Sequence, residues 1–132
     1  MKPVAVAFGA HEHAPPLRWT RDLAKALGAP LRVLSVVAPT SAEAPPEYFE
    51  ELDEQRRTQI ASDLSEAGIN DAEIVLMNEH KPLGAVAAYA DEHDLAACIV
   101  GSPQEGGLGE GNPANYLLHH TQIPIAMVGN EY

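Results

Sequence analysis

The sequence predicts one α/β domain of β-α-β units around a parallel sheet with helices on both faces. Three observations lead there. Short apolar blocks alternate with stretches of helical period along the whole chain. Several of those blocks are continuously apolar and do not alternate with polar residues, as in strands buried on both faces. The 132 residues suffice for one core of two or three layers and leave no room for a second domain, so a single domain over residues 1–132 is expected.

The elements follow in order. Val4 to Phe8, closed by Gly9, forms the first strand. After Pro15 and Pro16, the residues Thr20, Leu23, Ala24 and Leu27 recur at helical spacing, and Gly28 stands where a left-handed cap is wanted. Leu31 to Val37 is the second strand, ended by Pro39 and a Ser/Thr/Ala/Pro stretch through Pro46. Glu47 to Ala67 reads as a long helix with Leu52, Ile60 and Leu64 inward and Gly68 at its end. Glu73 to Met77 is the third strand. Pro82 opens a helix whose Leu83, Val86, Ala87 and Ala90 form one apolar face, running to Asp91, Glu92 and His93. Leu95 to Val100 is the fourth strand. Gly101 to Gly111 holds five glycines, after which Asn112 caps a helix with Pro113 at its first position, running through His119. Ile123 to Val128 is the last strand; it is short, apolar and carries Pro124, as an edge strand does.

Composition narrows the function. Apolar residues make up 45% of the chain but never approach the ~20-residue run of a membrane span, so a soluble protein is expected. The chain opens on a strand-like block, Pro3 to Phe8, with no targeting pattern before it, and the expected location is the cytoplasm. Nineteen acidic residues against eight basic ones give a formal charge of −11, which repels nucleic-acid backbones and anionic lipid alike. Lysine is limited to Lys2, Lys25 and Lys81; an acid-rich surface of this kind fits a salty habitat or a simple solubility solution equally. The one cysteine, Cys98, lies inside the apolar run of the fourth strand and reads as a buried structural thiol.

A glycine-rich loop directly after a buried strand and before a helix turns backbone N–H groups toward an anion. Here the loop stands in the order Ile99-Val100-Gly101-Ser102, Gly106-Gly107-Leu108-Gly109, Leu117-Leu118-His119-His120 and Ile123-Pro124-Ile125. That order resembles the universal stress protein family, and Val4-Ala5-Val6 with Gly9, Leu17-Arg18-Trp19, Leu27-Gly28-Ala29 and Leu34-Ser35-Val36-Val37 extend the resemblance toward the N-terminus. It implies a doubly wound, five-stranded parallel sheet of order 3-2-1-4-5 with four helices, the adenine nucleotide alpha hydrolase-like fold. A ligand is then expected where the first and fourth strands end, at the switch in chain direction.

The resemblance implies a phosphate motif of glycine, two residues, glycine, nine residues, glycine and a serine or threonine, and this chain departs from it. Gly101 holds the first position, Gln104 replaces the second glycine, and only positions 105–110 separate Gln104 from Gly111. Asn112 stands in place of the hydroxyl residue, Pro113 removes an N–H donor and Ala114 brings no hydroxyl. The family's strand-one aspartate corresponds to Phe8, followed after Gly9 by Ala10. Its ring either stacks on a base or fills the cleft; filling is the favoured expectation, since aromatics beside buried strands usually pack. If it fills, Phe8→Asp would cost stability. The family-equivalent nucleotide positions are thus Gly101, Gly111, Asn112, Ala114, Val36 and Phe8.

Other candidates weigh less. His11 with His13, and His119 with His120, suggest metal pairs, but helix neighbours differ by about 100° in direction and do not share an ion. Helix C-termini favour histidine for dipole reasons. No metal is expected. Ser35 and Ser102 have no assigned base, so no catalytic residue is named. Glu105 and Glu110 flank the glycines and would repel a triphosphate in the absence of a divalent cation. Arg56 and Arg57 read as surface ion-pair partners of Glu50, Glu51, Asp53 and Glu54.

The functional expectation is a non-catalytic stress-response or regulatory domain, homodimeric through Ile123 to Val128, with a degenerate ATP site. The alternative is a nucleotide-binding member with a shortened loop, holding ATP with Mg²⁺ or AMP through Gly101, Gly111 and the backbone near Val36. In its favour, Asn112 still caps a helix after a glycine turn, leaving N–H groups at residues 114 and 115. A hydrolase of nucleotides or small phosphate esters is the weakest reading.

Overall fold

A computed structural model describes residues 2–8, 17–37, 46–78, 81–101 and 113–128. Over these, strand and helix alternate without exception: β1 (Val4–Phe8), α1 (Leu17–Leu27), β2 (Leu31–Val37), α2 (Pro46–Glu66), β3 (Glu73–Asn78), α3 (Pro82–His93), β4 (Ala97–Gly101), α4 (Pro113–His120) and β5 (Ile125–Val128). The strands form one five-stranded sheet of order β3-β2-β1-β4-β5. Every neighbouring pair is parallel. This is the predicted fold.

Because successive strand residues point to opposite faces, β1 splits its side chains between two cores. Val4 and Val6 join Leu31, Val33 and Ile99 under α1 and α2, which contribute Leu17, Ala24, Ile60 and Leu64. Ala5 and Ala7 join Leu34, Val36, Cys98 and Val100 under α3 and α4, which contribute Leu83, Val86, Ala87, Ala90 and Leu117. Leu34, Ile99 and Leu117 are among the largest fully buried side chains. Each such side chain contributes about 1.5–3 kcal/mol of burial energy.

Three helices end in the same left-handed cap. Gly28 (φ 65°), Gly68 (φ 77°) and Asp94 (φ 51°) take positive φ. The residue after each donates its N–H five residues back: Ala29 to Ala24 O at 2.9 Å, Ile69 to Leu64 O at 2.8 Å, Leu95 to Ala90 O at 3.5 Å. The two glycines stand where the sequence predicts them. Asp94 does the same without glycine, which aspartate tolerates better than most residues.

Two strands start later than their apolar runs. The fourth begins at Ala97, not Leu95, because Leu95 closes the α3 cap and is itself buried. The fifth begins at Ile125, not Ile123: the Pro124 carbonyl accepts from the Cys98 N–H at 2.9 Å, and strand pairing starts one residue on. On α1, Leu27 departs from the expected apolar repeat and is 46% exposed. It is the last residue of the helix and closes no buried layer.

Candidate functional site

The sheet reverses its direction of growth between β1 and β4, so the connections from these neighbours leave toward opposite sides. Their pairing is short. It joins Val4 to Ala97, Ala5 to Cys98 and Val6 to Ile99, and stops there, although β1 continues to Phe8 and β4 to Gly101. On its other side β1 stays paired to its end, with Phe8 opposite Ser35. The β1–β4 ladder thus ends before the carboxyl ends of both strands, at the switch point between Ala7-Phe8 and Val100-Gly101 where open α/β sheets place their ligand crevice.

The second strand outruns the first. Its last partner on β1 is at Ser35, whereas pairing with β3 continues through Val36 to Met77 and Val37 to Asn78. Past Ser35, the backbone of β2 has strand pairing on the β3 side only, among the described residues. The side chain of Val36 is buried in the α3/α4 core, so what this segment presents at the sheet's edge is main chain.

Of the positions expected from sequence, the fold brings Phe8, Val36 and Gly101 to this one edge. The side chains of Phe8 and Ala114 lie outside the description, as do Gly111 and Asn112 and the remaining loop positions Ser102, Gln104, Glu105 and Glu110. His11 and His13 lie outside it too. Helix α4 starts with Pro113, a residue with no N–H to offer an anion.

Arg56 behaves differently from the surface ion-pair partner expected of it. Its guanidinium does pair with Asp53, Nη1 to Oδ1 at 3.2 Å, but the side chain is only 18% exposed. Nη2 donates to Ser35 O at 2.8 Å and lies 3.5 Å from Met77 O and 3.4 Å from Ser35 Oγ. It thus reaches from α2 to the carboxyl ends of β2 and β3. Burial lowers its pKa from the ordinary arginine value, and the Asp53 charge works in the opposite direction. The signal that reveals it is spacing: Leu52, Arg56, Ile60 and Leu64 lie four residues apart, on the inward stripe of the helix. Arg57 stays exposed. Ser35, weighed as a nucleophile, has a cationic donor beside its hydroxyl in place of a base, so that contact does not activate it.

A hollow of about 720 Å³ lies elsewhere, lined by Glu50, Glu51, Asp53, Glu54, Gln55 and Arg57 of α2. Four carboxylates to one exposed guanidinium make it hostile to phosphate, and its lining belongs to one helix. The parted strand ends are the better candidate. Near the end of α4, His120 stacks on Tyr116 at 4.0 Å, and its Nδ1 lies 2.8 Å from Tyr116 O. No group of three metal-ligating side chains occurs among the described residues, and none of their helices is long and apolar enough to cross a membrane.

A sequence model of the universal stress protein family matches residues 1–129. A universal stress protein from Archaeoglobus fulgidus, solved in complex with dAMP, superposes with a TM-score of 0.69 at 22% identity, over 96% of this chain and 97% of that one. A universal stress protein in complex with cAMP gives 0.67 at 18% identity, over 96% of each chain. One from Arabidopsis thaliana with AMP bound gives 0.56 at 16% identity, over 99% of this chain and 93% of that one. No curated protein matches the sequence.

Proposed function

The chain belongs to the universal stress protein family, and from that premise we propose that it is a non-catalytic, cytoplasmic, homodimeric regulator whose cleft takes an adenine mononucleotide and not ATP. The single observation that carries the site is the parting of β1 and β4 after Val6 and Ile99, beside a β2 that runs on past its last β1 partner. An adenine base placed there meets backbone donors and acceptors near Val36, and no charged side chain is required.

The phosphate end supports one phosphate better than three. The loop between Gly101 and Gly111 is shorter than the family motif, and Asn112 and Pro113 supply neither the hydroxyl nor the first N–H. The residues present therefore do not fit a triphosphate with Mg²⁺. The ligands of the three structural relatives, dAMP, cAMP and AMP, each carry one phosphate group. A competing reading, a cleft filled by Phe8 with function through protein contacts alone, rests on the phenylalanine standing where the family has aspartate.

Isothermal titration at physiological salt separates these readings. AMP is expected to bind, and ATP with Mg²⁺ to bind no more tightly. Silence toward AMP up to millimolar concentration would reject the mononucleotide reading in favour of the filled cleft; ATP binding well above AMP would reject the argument from the shortened loop.

A further inference from the structure

Arg56 reaches two strands from α2. A guanidinium is a planar fork of five donors, and here a single nitrogen, Nη2, lies within reach of carbonyls from two adjacent strands, Ser35 O at 2.8 Å and Met77 O at 3.5 Å. Both carbonyls sit near the carboxyl ends of their strands, and Ser35 directly precedes the backbone assigned to the base. The other terminal nitrogen, Nη1, is held at 3.2 Å by Asp53 on the same helix. Asp53, Arg56 and Ser35 thus form a chain of contacts from α2 to the last residue of β2 that pairs with β1.

We infer that Arg56 is a positioning residue for the base side of the crevice: it fixes where the main chain of Val36 and Val37 stands, and through it the choice of base. The inference rests on reading the crevice as an adenine mononucleotide site. The physical reason is that backbone recognition of a purine edge depends on the placement of one or two peptide groups, and a displacement of a fraction of an ångström degrades both distance and angle. Among the described residues no strand pairs with the β1 side of β2 beyond Ser35, and the tether from α2 acts at that point. Lysine at 56 keeps a charge but offers a single ammonium without the planar fork.

The test uses full-length Arg56→Lys and Arg56→Met, with Asp53→Asn as a third variant that leaves the arginine in place should either fail to fold. Two readouts are taken: the AMP to GMP affinity ratio by titration, and amide hydrogen exchange at Val36 and Val37 without ligand. Loss of a charge-assisted contact is expected to shrink the ratio about tenfold and to speed exchange at those two amides by at least a similar factor. A purely structural role would weaken AMP and GMP together; an unchanged ratio with unchanged exchange overturns the inference. If the wild type binds no nucleotide, the mononucleotide reading falls. The choice of base falls with it, and exchange then decides only whether Arg56 fixes the main chain: faster exchange at Val36 and Val37 in the variants upholds that, and wild-type rates overturn it.

Discussion

Arg21 donates from Nη1 to the carbonyl oxygen of Ala67, tying α1 to the C-terminal cap of α2 across 46 residues of chain. The same nitrogen lies 3.3 Å from where a Cβ on Gly68 would stand. Gly68 is therefore constrained twice, by its φ of 77° and by a neighbour that is itself pinned.

Gly68→Ala is accordingly expected to destabilise by about 1–2 kcal/mol, since a left-handed backbone penalises any Cβ and Arg21 must give way. Gly84→Ala should have the opposite sign. Gly84 lies inside α3, and its added methyl would meet Tyr116 Oη at 3.5 Å and Lys81 Cβ at 3.6 Å, ordinary contact distances. Relief of the helix-interior glycine then adds about 0.5–1 kcal/mol. Urea unfolding of both variants checks the pair; two shifts of the same sign would contradict it.

Cys98 is fully buried, and burial pushes its thiol from the ordinary 9.0 up to about 12. The unfolded thiol ionises above pH 9 while the folded one keeps its proton. The cysteine's contribution to stability is thus complete below pH 9.0 and declines between 9.0 and about 12. Within that window the slope is roughly 1.4 kcal/mol per pH unit. Unfolding free energies at pH 8.5 and 10.5 should fall more steeply for the wild type than for Cys98→Ala. Parallel declines would mean that the thiol does not ionise differently in the two states.

Leu117 and Leu118 are neighbours on α4 with opposite exposure, 0% and 61%. Leu117→Ala empties a filled site under α3 and should cost about 2–5 kcal/mol. Leu118→Ala should change the stability of the monomer by no more than about 0.5 kcal/mol. Equal losses on chemical denaturation would show that the two leucines share one environment.

Much of this arrangement is legible in the sequence because it depends on local periodicity. The five apolar blocks became the five strands, and Gly28 and Gly68 mark helix ends by a conformation few other residues adopt. What periodicity does not show is which polar residue takes part in a tertiary contact. Arg56 stands three residues after Asp53, the spacing of an ordinary surface ion pair; its long stem instead carries the charge past the helix to the ends of β2 and β3. Asp94 looks like the polar end of a helix, and only the backbone reveals that it replaces a glycine. The parting of β1 and β4 depends on where two ladders stop, a property of strand pairing that neither strand encodes alone.

The last strand supplies the test of the proposed dimer. β5 pairs with β4 alone among the described residues, and its Met127 is 47% exposed. A short edge strand with an exposed apolar side chain is suited to pairing with its own copy, and lysine on such an edge opposes pairing through charge and desolvation. Met127→Lys should therefore shift sedimentation from dimer to monomer, with far-UV circular dichroism unchanged because the side chain is not part of either core. A wild type that sediments as a monomer at tens of micromolar would reject the dimer itself. A variant that stays dimeric would place the contact on a surface other than β5.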